Sequence, residues 1–283
     1  MQTETQTEFM APLPSLGLIR ISGDGAKKLL QGQLTCDMEQ ITPTHSSLGA
    51  HCNPQGRIIS LFQIFIYQDS YFLQMPRDTI PLALNALKKY APFFKAALSD
   101  VSDEFKQIGC HSLHPLSFDN AIVIQPFAHE QNYYELISPL NLDIKPHLPQ
   151  VDEHHWKLCY FRNTIPVIYP ETSEKFLPHE LNLPELDAVS FNKGCYTGQE
   201  IIARMHYRGK TKNHLYSTHV NTSLPIIRGM DVLSDTQTVG SIVDFCSIGY
   251  NQYQLLVVVQ DEAVKRGDVF IDTARNDKIK FTE

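Results

Sequence analysis

The sequence predicts an α+β protein in which a mixed body, residues 1–208, precedes a smaller all-β module, residues 209–283. Of the 283 residues, 42% are hydrophobic and 19% are charged, which supplies apolar material for cores in about two domains. From about Asn213 the chain changes to short alternating runs separated by turn residues. That pattern is typical of a small β-barrel or sandwich.

The order of apolar runs and turn residues predicts the elements of the body. These are a strand over 17–21, a helix over 24–31, a hairpin of 57–67 and 71–75, a helix over 77–90, strands over 121–125 and 133–138, a helix over 151–162, and an irregular proline-punctuated stretch over 177–186. Asp24 is expected to cap the first helix and Gly32 to end it. Residues 110–114 have metal-like spacing but no second pair, which favours a surface loop.

The β module is predicted from five apolar runs, at residues 215–220, 232–234, 239–246, 253–260 and 269–273. Turn residues separate the runs at spacings of roughly ten residues, as expected for strands of one small barrel.

Charge, cysteine content and hydropathy exclude several classes of protein. The formal charge is -7, which argues against a chain that coats nucleic acid or an anionic membrane as a whole but allows one basic patch. The longest aliphatic run, 255–259, is too short to cross a bilayer, and residues 1–9 lack the features of a signal peptide. The six cysteines form no Cys-x-x-Cys pair, which disfavours disulfides and local metal sites. We therefore expect a soluble cytoplasmic protein.

The segment 193–200 carries the clearest chemical pattern. Thr197 and Glu200 match a capping box, so a helix should begin at about Gly198 with Cys195 just before it. A thiol at a helix start, two residues from Lys193, is favoured as the reactive thiolate. The alternative is an ordinary cap beside a buried structural cysteine.

Positive charge is concentrated in the same region. Residues 193–212 contain one acid and five cations, which are Lys193, Arg204, Arg208, Lys210 and Lys212. Such an island suits an anionic ligand such as a polyglutamyl tail, a phosphate or tRNA, although a solvated helix face gives the same pattern. Trp156, the only tryptophan, either packs in a core or stacks on a flat heterocycle.

Four blocks in order resemble the YgfZ family of folate-binding proteins, relatives of the glycine-cleavage T-protein and of Iba-type iron–sulfur assembly factors. Residues 193–200, continued by Arg204 and 207–209, resemble the K-G-C-Y-x-G-Q-E signature of the family. The other blocks are residues 30–37, residues 50–57, and residues 177–183. The resemblance spans most of the chain.

The resemblance implies an aminomethyltransferase-like, folate-binding body of intertwined α/β subdomains around a central opening, followed by a C-terminal β-barrel. It also implies tetrahydrofolate as the ligand and a supporting role in assembly or repair of iron–sulfur enzymes, and thereby in tRNA thiomethylation. Iron–sulfur client or carrier proteins would be its partners, and direct tRNA binding through the basic island is a separate, non-enzymatic hypothesis.

Site residues follow from the matched positions. Cys195 corresponds to the functional cysteine of the family. Its neighbours in the signature, and Trp156, are the implied folate contacts: Lys193, Gly194, Tyr196, Gly198, Gln199, Glu200 and Arg204. A second family tryptophan, near the first strand, has no counterpart, since Leu16 or Gly17 stands in that region.

The chemical role of Cys195 stays open at this point between a nucleophile for a one-carbon unit, a ligand of a cluster in transfer, and a redox thiol. The enzymatic alternative is a tetrahydrofolate-dependent aminomethyltransferase of the T-protein type. That enzyme places an acid shortly after the hairpin turn, whereas residues 56–62 contain no carboxylate here, so aminomethyl transfer is disfavoured.

Overall fold

The computed structural model describes residues 7–127, 130, 132–142, 144–209, 211–235, 237–274 and 276–281. The strands of these residues are β1 (Phe9–Pro12), β2 (Leu16–Ser22), β3 (Ser47–Cys52), β4 (Ile58–Tyr67), β5 (Ser70–Pro76), β6 (Ala97–Asp100), β7 (Phe105–His111), β8 (Ile122–Ile124), β9 (Tyr133–Pro139), β10 (Asn213–Asn221), β11 (Asp231–Ser234), β12 (Gln237–Gly249), β13 (Gln252–Gln260) and β14 (Lys280–Phe281). The helices are α1 (Ala26–Gln33), α2 (Ile80–Lys88), α3 (Glu153–Arg162), α4 (Gln199–Arg208) and α5 (Asp261–Arg266).

Three sheets organise the chain. One has the strand order β3-β4-β5-β2-β6, the second β1-β7-β9-β8, and the third β11-β12-β13-β10-β14. The first eight residues of β4 are buried, as expected of a strand covered on both faces. On one side lie α1 and α2; on the other, an apolar cluster joins Leu61 of β4 to Ile202 of α4 and Leu256 of β13.

The predicted hairpin is confirmed as β4 and β5. Gln68 and Asp69 connect the strands with φ of 46° and 59°, the left-handed pair that matches the twist of a two-residue hairpin turn. The other predicted strands of the body correspond to β2, β8 and β9, and the predicted helices to α1, α2, α3 and α4. The stretch 177–186 has no helix or strand beyond one 3₁₀ turn, as predicted.

Two details of α1 differ from the prediction. The helix runs through Gly32 to Gln33, and its N-cap is Gly25 with no side-chain hydrogen bond, so Asp24 is not the cap. A β-carbon at Gly25 would collide with the backbone of Phe94, which means that packing against the 3₁₀ turn Ala91–Phe94 fixes this helix start.

The prediction of a surface loop over 110–114 is wrong for its first two residues, since Cys110 and His111 are buried in β7. The strand β7 was missed because one of its two buried faces carries Gln107, Gly109 and His111 rather than apolar side chains. Gly109 is required there because a β-carbon would overlap the ring of Trp156.

The C-terminal sheet contains the first four runs predicted for the β module, as β10 to β13. The fifth run is not a strand. Phe270 instead forms single-residue bridges to Leu233 and Lys278, which link the two edges of this sheet. The helix α5 follows β13 and was not predicted. The boundary between residues 208 and 209 stays a prediction. No helix among the described residues is long and apolar enough to cross a membrane.

Candidate functional site

Three blocks that are distant in the sequence meet around the signature segment. The backbone N–H of Ser190 donates to Thr35 O (2.9 Å), and that of Thr197 donates to Gly32 O (3.2 Å). The Thr35 hydroxyl donates to Ala188 O (2.6 Å) and accepts from the N–H of Ala50 (2.9 Å). A main-chain hydrogen bond therefore docks the signature onto the end of α1, and Thr35 links the segment that precedes the signature to β3.

Lys193 ties this junction together from inside. Its buried ammonium donates to the carbonyl oxygens of Leu34 (2.8 Å) and Cys36 (2.7 Å) and lies 5.1 Å from the ring centre of Tyr196. Burial lowers the pKa of Lys193 to about 8, although Cys36 and Asp37 act in the opposite direction. In the structure, then, the Lys193 ammonium is engaged with the 34–36 loop.

Cys195 is the exposed cysteine; Cys36, Cys52, Cys110, Cys159 and Cys246 are buried. It precedes the N-terminus of α4, as predicted. The predicted capping box is wrong, because the N-cap is Gly198 and has no side-chain cap bond. The Thr197 hydroxyl instead donates to Gln33 Oε1 (3.1 Å), and Glu200 pairs with Arg204 (2.9 Å).

Gly198 brings the signature against the turn between β3 and β4. Its φ is +84°, and a β-carbon there would lie 2.7 Å from Asn53 O and 3.1 Å from the Cα of Gly56. Both the backbone angle and the close approach demand glycine. The adjacent Gln199 side chain accepts from the N–H of Tyr196 (3.4 Å), whose ring is buried.

The basic island is divided by the structure. Lys193 is buried, Arg204 forms an exposed pair with Glu200, and Lys210 lies outside the described residues. Arg208 and Lys212 are exposed, and neither forms an ion pair with any residue the structure describes. The exposed cations without an ion-pair partner among the described residues are thus Arg208, at the C-terminal end of α4, and Lys212, just before β10.

A cavity of about 450 Å³ lies between the body and the C-terminal sheet. Its walls come from β4 (Leu61, Phe62, Gln63), β5 (Gln74, Met75), α3 (Trp156, Lys157, Tyr160), the loop before β11 (Arg228) and β12 (Asp244). Leu16 also lines it, at the place where the second family tryptophan has no counterpart. The volume is in the range of small-molecule sites.

Behind the wall formed by Trp156 and Tyr160 lies the buried carboxylate of Glu135, which does not itself line the cavity. Glu135 Oε1 accepts from the indole N–H of Trp156 (3.1 Å) and from the hydroxyl of Tyr160 (2.8 Å). Gln74 approaches the carboxylate, but its amide donates to Gln107 Oε1 (2.9 Å), so Oε2 has no hydrogen-bond partner among the described residues. Burial raises the pKa of Glu135, whereas the interactions with Tyr160, Trp156 and Gln74 lower it.

A cluster of one acid and two cations also lines the cavity. Asp244, 2% exposed, accepts from Lys157 Nζ (3.0 Å) and from Arg228 Nε (2.8 Å). The Arg228 guanidinium stacks 3.4 Å from the ring centre of Tyr169. Two cations share one carboxylate in this cluster, while Asp78 and Glu153 also line the cavity, so the lining as a whole is not positive.

Of the residues predicted to contact folate, only Trp156 lines this cavity; the signature residues from Lys193 to Arg204 do not. Their assignment as folate contacts stays a prediction. Sequence reasoning missed Glu135, although an acid in the middle of the apolar run 133–138 is a usable signal. It also missed the Lys157–Asp244–Arg228 cluster, whose members are far apart in the sequence.

A second, larger cavity of about 1010 Å³ lies beside the first. Leu48, Gln63 and Ile165 line both cavities, and the far rim of the larger one includes Phe191 and His206. Among the described residues, no group of three or more His, Cys, Asp or Glu is arranged to hold a metal ion.

Comparison with curated proteins finds relatives that match most of the chain, although no protein-family model matches it. The chain is 30% identical over 238 residues to the tRNA-modifying protein YgfZ of Colwellia psychrerythraea, covering 77% of this chain and 73% of that protein. It is 32% identical over 228 residues to the tRNA-modifying protein YgfZ of Aliivibrio fischeri, covering 72% and 71%. An uncharacterized protein of Haemophilus influenzae is 35% identical over 215 residues, with 72% and 71% covered.

Among solved structures, the chain resembles the glycine cleavage system aminomethyltransferase T of Bartonella henselae. The TM-score is 0.73 at 13% sequence identity, over 96% of this chain and 84% of that one. At this level of identity the similarity establishes the fold alone, which is the predicted α+β aminomethyltransferase-like fold.

Proposed function

The chain belongs to the YgfZ family, and from this premise we propose that it is a tetrahydrofolate-binding factor that supports tRNA modification by assembling or repairing iron–sulfur enzymes. The observation that carries the proposal is the exposed thiol of Cys195, the one cysteine that solvent reaches, fixed by the junction of the family blocks. The proposal places the protein in the cytoplasm, where tRNA and its modifying enzymes meet.

The 450 Å³ cavity fits a reduced folate. The pteridine ring is flat, which suits the aromatic wall formed by Trp156 and Tyr160. Glu135, behind that wall, would fix the orientation of both rings through the hydrogen bonds that it accepts from them. The folate also ends in glutamyl carboxylates, for which Lys157 and Arg228 are the cations of the lining.

Cys195 would act away from the pterin, because it does not line this cavity. A single thiolate does not hold an iron–sulfur cluster alone, so a client or carrier protein would supply the remaining ligands if the thiol binds a cluster. Capture of a one-carbon unit and redox exchange are the other roles of an exposed thiolate. Aminomethyl transfer has less support, since the β4 wall contributes Leu61, Phe62 and Gln63 and no carboxylate.

The proposal is tested by complementation of a strain that lacks the gene. Wild-type protein should restore iron–sulfur enzyme activity and tRNA thiomethylation, whereas Cys195→Ser should not, at equal protein abundance. Cys36→Ala is the matched control, because that thiol is buried and its pKa is raised to about 11 by burial. Full restoration by Cys195→Ser would remove the central residue from the proposal.

A further inference from the structure

An exposed aromatic cluster occupies the C-terminal end of α4. His206 stacks on Phe191 with ring centres 3.7 Å apart and planes 16° from parallel. Tyr207 stands nearly perpendicular to His206, at 4.8 Å and 82°, and is 67% exposed. The contact with His206 holds the ring of Tyr207 in place, and its exposed side presents a flat surface to solvent.

Uncompensated cations flank this cluster. Arg208 follows Tyr207 directly, and Lys212 immediately precedes β10. Neither side chain has an ion-pair partner within the described part of the chain. Asp261 lies beside Lys212, since its N–H donates to Lys212 O (2.9 Å), but its carboxylate accepts from His214 (2.7 Å) and from the hydroxyl of Tyr216 (2.9 Å) and forms no ion pair with Lys212.

Polar groups lie next to the aromatic rings. Phe191, Asn192 and His206 form part of the rim of the 1010 Å³ cavity, and the loop residues Thr42, Thr44, His45 and Ser46 line the same cavity. Hydroxyl, amide and imidazole groups offer both donors and acceptors to the edge of a nucleobase.

We propose that the C-terminal face of α4 binds an unpaired segment of RNA. A base stacks on Tyr207 beside His206, the flanking phosphates contact Arg208 and Lys212, and the cavity rim meets the base edge. This inference rests on the proposed role in tRNA modification and names the partner that this face would contact. The helix has ten residues and spans about 15 Å, so the face lies at the end of α4 opposite the Cys195 thiol.

RNA fits this face better than a protein partner or an anionic membrane does. Stacking of bases on aromatic rings combined with basic side chains along a backbone is how single-stranded nucleic acids are bound. A protein interface would need a contiguous apolar centre, whereas the neighbours of Tyr207 on the helix surface are Arg204, Arg208 and His206. An anionic membrane would require a broad basic surface, which the net charge opposes.

The test uses fluorescence anisotropy with a labelled RNA hairpin that has an unpaired loop, and a fully paired RNA duplex of the same length. The hairpin should bind more tightly than the duplex. Tyr207→Ala should weaken hairpin binding about 5- to 150-fold, the usual effect of removing one stacking ring. Arg208→Gln should lower the slope of log affinity against log salt by about 0.7, the value for one phosphate contact with a single strand.

Two matched controls keep the test specific. Tyr250→Ala removes a tyrosine that is 93% exposed on the turn between β12 and β13, and Arg162→Gln removes an exposed arginine in the last turn of α3. Both should leave binding unchanged. The inference is overturned if the wild type does not bind the hairpin at low salt, or if Tyr250→Ala and Tyr207→Ala have equal effects.

Complementation separates this inference from the proposed function. Tyr207→Ala with reduced RNA binding should also reduce tRNA thiomethylation while leaving tetrahydrofolate binding unchanged. Absent RNA binding together with full dependence on Cys195 would refute the RNA face and leave the proposed function standing. Unimpaired hairpin binding together with full complementation by Cys195→Ser would do the reverse.

Discussion

The indole N–H of Trp156 donates a hydrogen bond to Glu135 Oε1 over 3.1 Å, within a region where both side chains are buried. The bond uses one carboxylate oxygen and leaves the other, Oε2, without a partner among the described residues. Leaving a buried acceptor unpaired costs stability, so the bonds that Glu135 does accept matter for the order of this region. Since Trp156 lines the 450 Å³ cavity and Glu135 does not, the bond lets a buried carboxylate fix the orientation of a cavity wall.

Glu135→Gln should weaken tetrahydrofolate binding about 10-fold or more. The amide keeps an oxygen that accepts from Trp156 and Tyr160, but it loses the charge that strengthens these two hydrogen bonds, so the rings that line the cavity are held less firmly. Isothermal titration calorimetry of wild type and variant measures the change. Glu104→Gln, at an exposed carboxylate paired with Arg20, should bind as the wild type does. Equal affinity for Glu135→Gln and wild type would show that Glu135 does not support the pterin site.

Gly198→Ala should lower the free energy of unfolding by about 2 kcal/mol or more. The substitution combines an unfavourable φ of +84° with a β-carbon 2.7 Å from Asn53 O. Gly194→Ala is the matched control four residues earlier, because its β-carbon would meet open space and its φ is not positive. Urea denaturation compares the two variants. A Gly198→Ala cost no larger than that of Gly194→Ala would contradict the account of this junction.

Acid should destabilise the protein through His51, which is buried in β3. Burial, and secondarily the charge of Lys89, lower its pKa to about 4 from the usual 6.5. Because the unfolded chain then binds more protons between these values, stability is fully present above pH 6.5 and declines as the pH falls to 4, by up to about 3 kcal/mol. His51→Leu should lose this pH dependence. Exposed His45→Gln should retain it, and identical acid profiles for His51→Leu and wild type would refute the assignment.

At alkaline pH, the stability of the protein should depend on Lys193. Its pKa of about 8 in the folded state, against the usual 10.5, means that the folded state releases the proton first. Stability should rise from pH 8 to pH 10.5 by up to about 3 kcal/mol in the wild type relative to Lys193→Met. Equilibrium unfolding at several pH values measures this difference. Lys89→Met, at an exposed lysine, should follow the wild-type curve; parallel curves for Lys193→Met and wild type would contradict the burial of the ammonium.

The elements that the sequence predicts well are those set by local pattern. The helix α4 begins where the apolar positions Ile201 and Ile202 follow a glycine, and the β4–β5 hairpin follows from two apolar runs around a polar turn. The missed strand β7 lacks such a pattern, because the Trp156 ring that covers it leaves room only for glycine at position 109.

The site is harder to predict because its contacts are long-range. Thr197 was expected to cap α4, but its hydroxyl bonds to Gln33, which is 164 residues earlier in the chain. Lys193 was expected beside the thiol, and its ammonium instead binds carbonyl groups of the 34–36 loop. Local pattern identified the segment that matters, whereas tertiary contacts decide what each side chain in it does.

The most direct test of the account is a tetrahydrofolate titration followed by the fluorescence of Trp156, in wild type and in Cys195→Ala. Trp156 is the sole indole and lines the 450 Å³ cavity, whereas Cys195 does not. We predict saturable quenching with the same affinity in both proteins. Absence of quenching in the wild type, or its loss in Cys195→Ala alone, would contradict a folate site at Trp156 that is separate from the thiol.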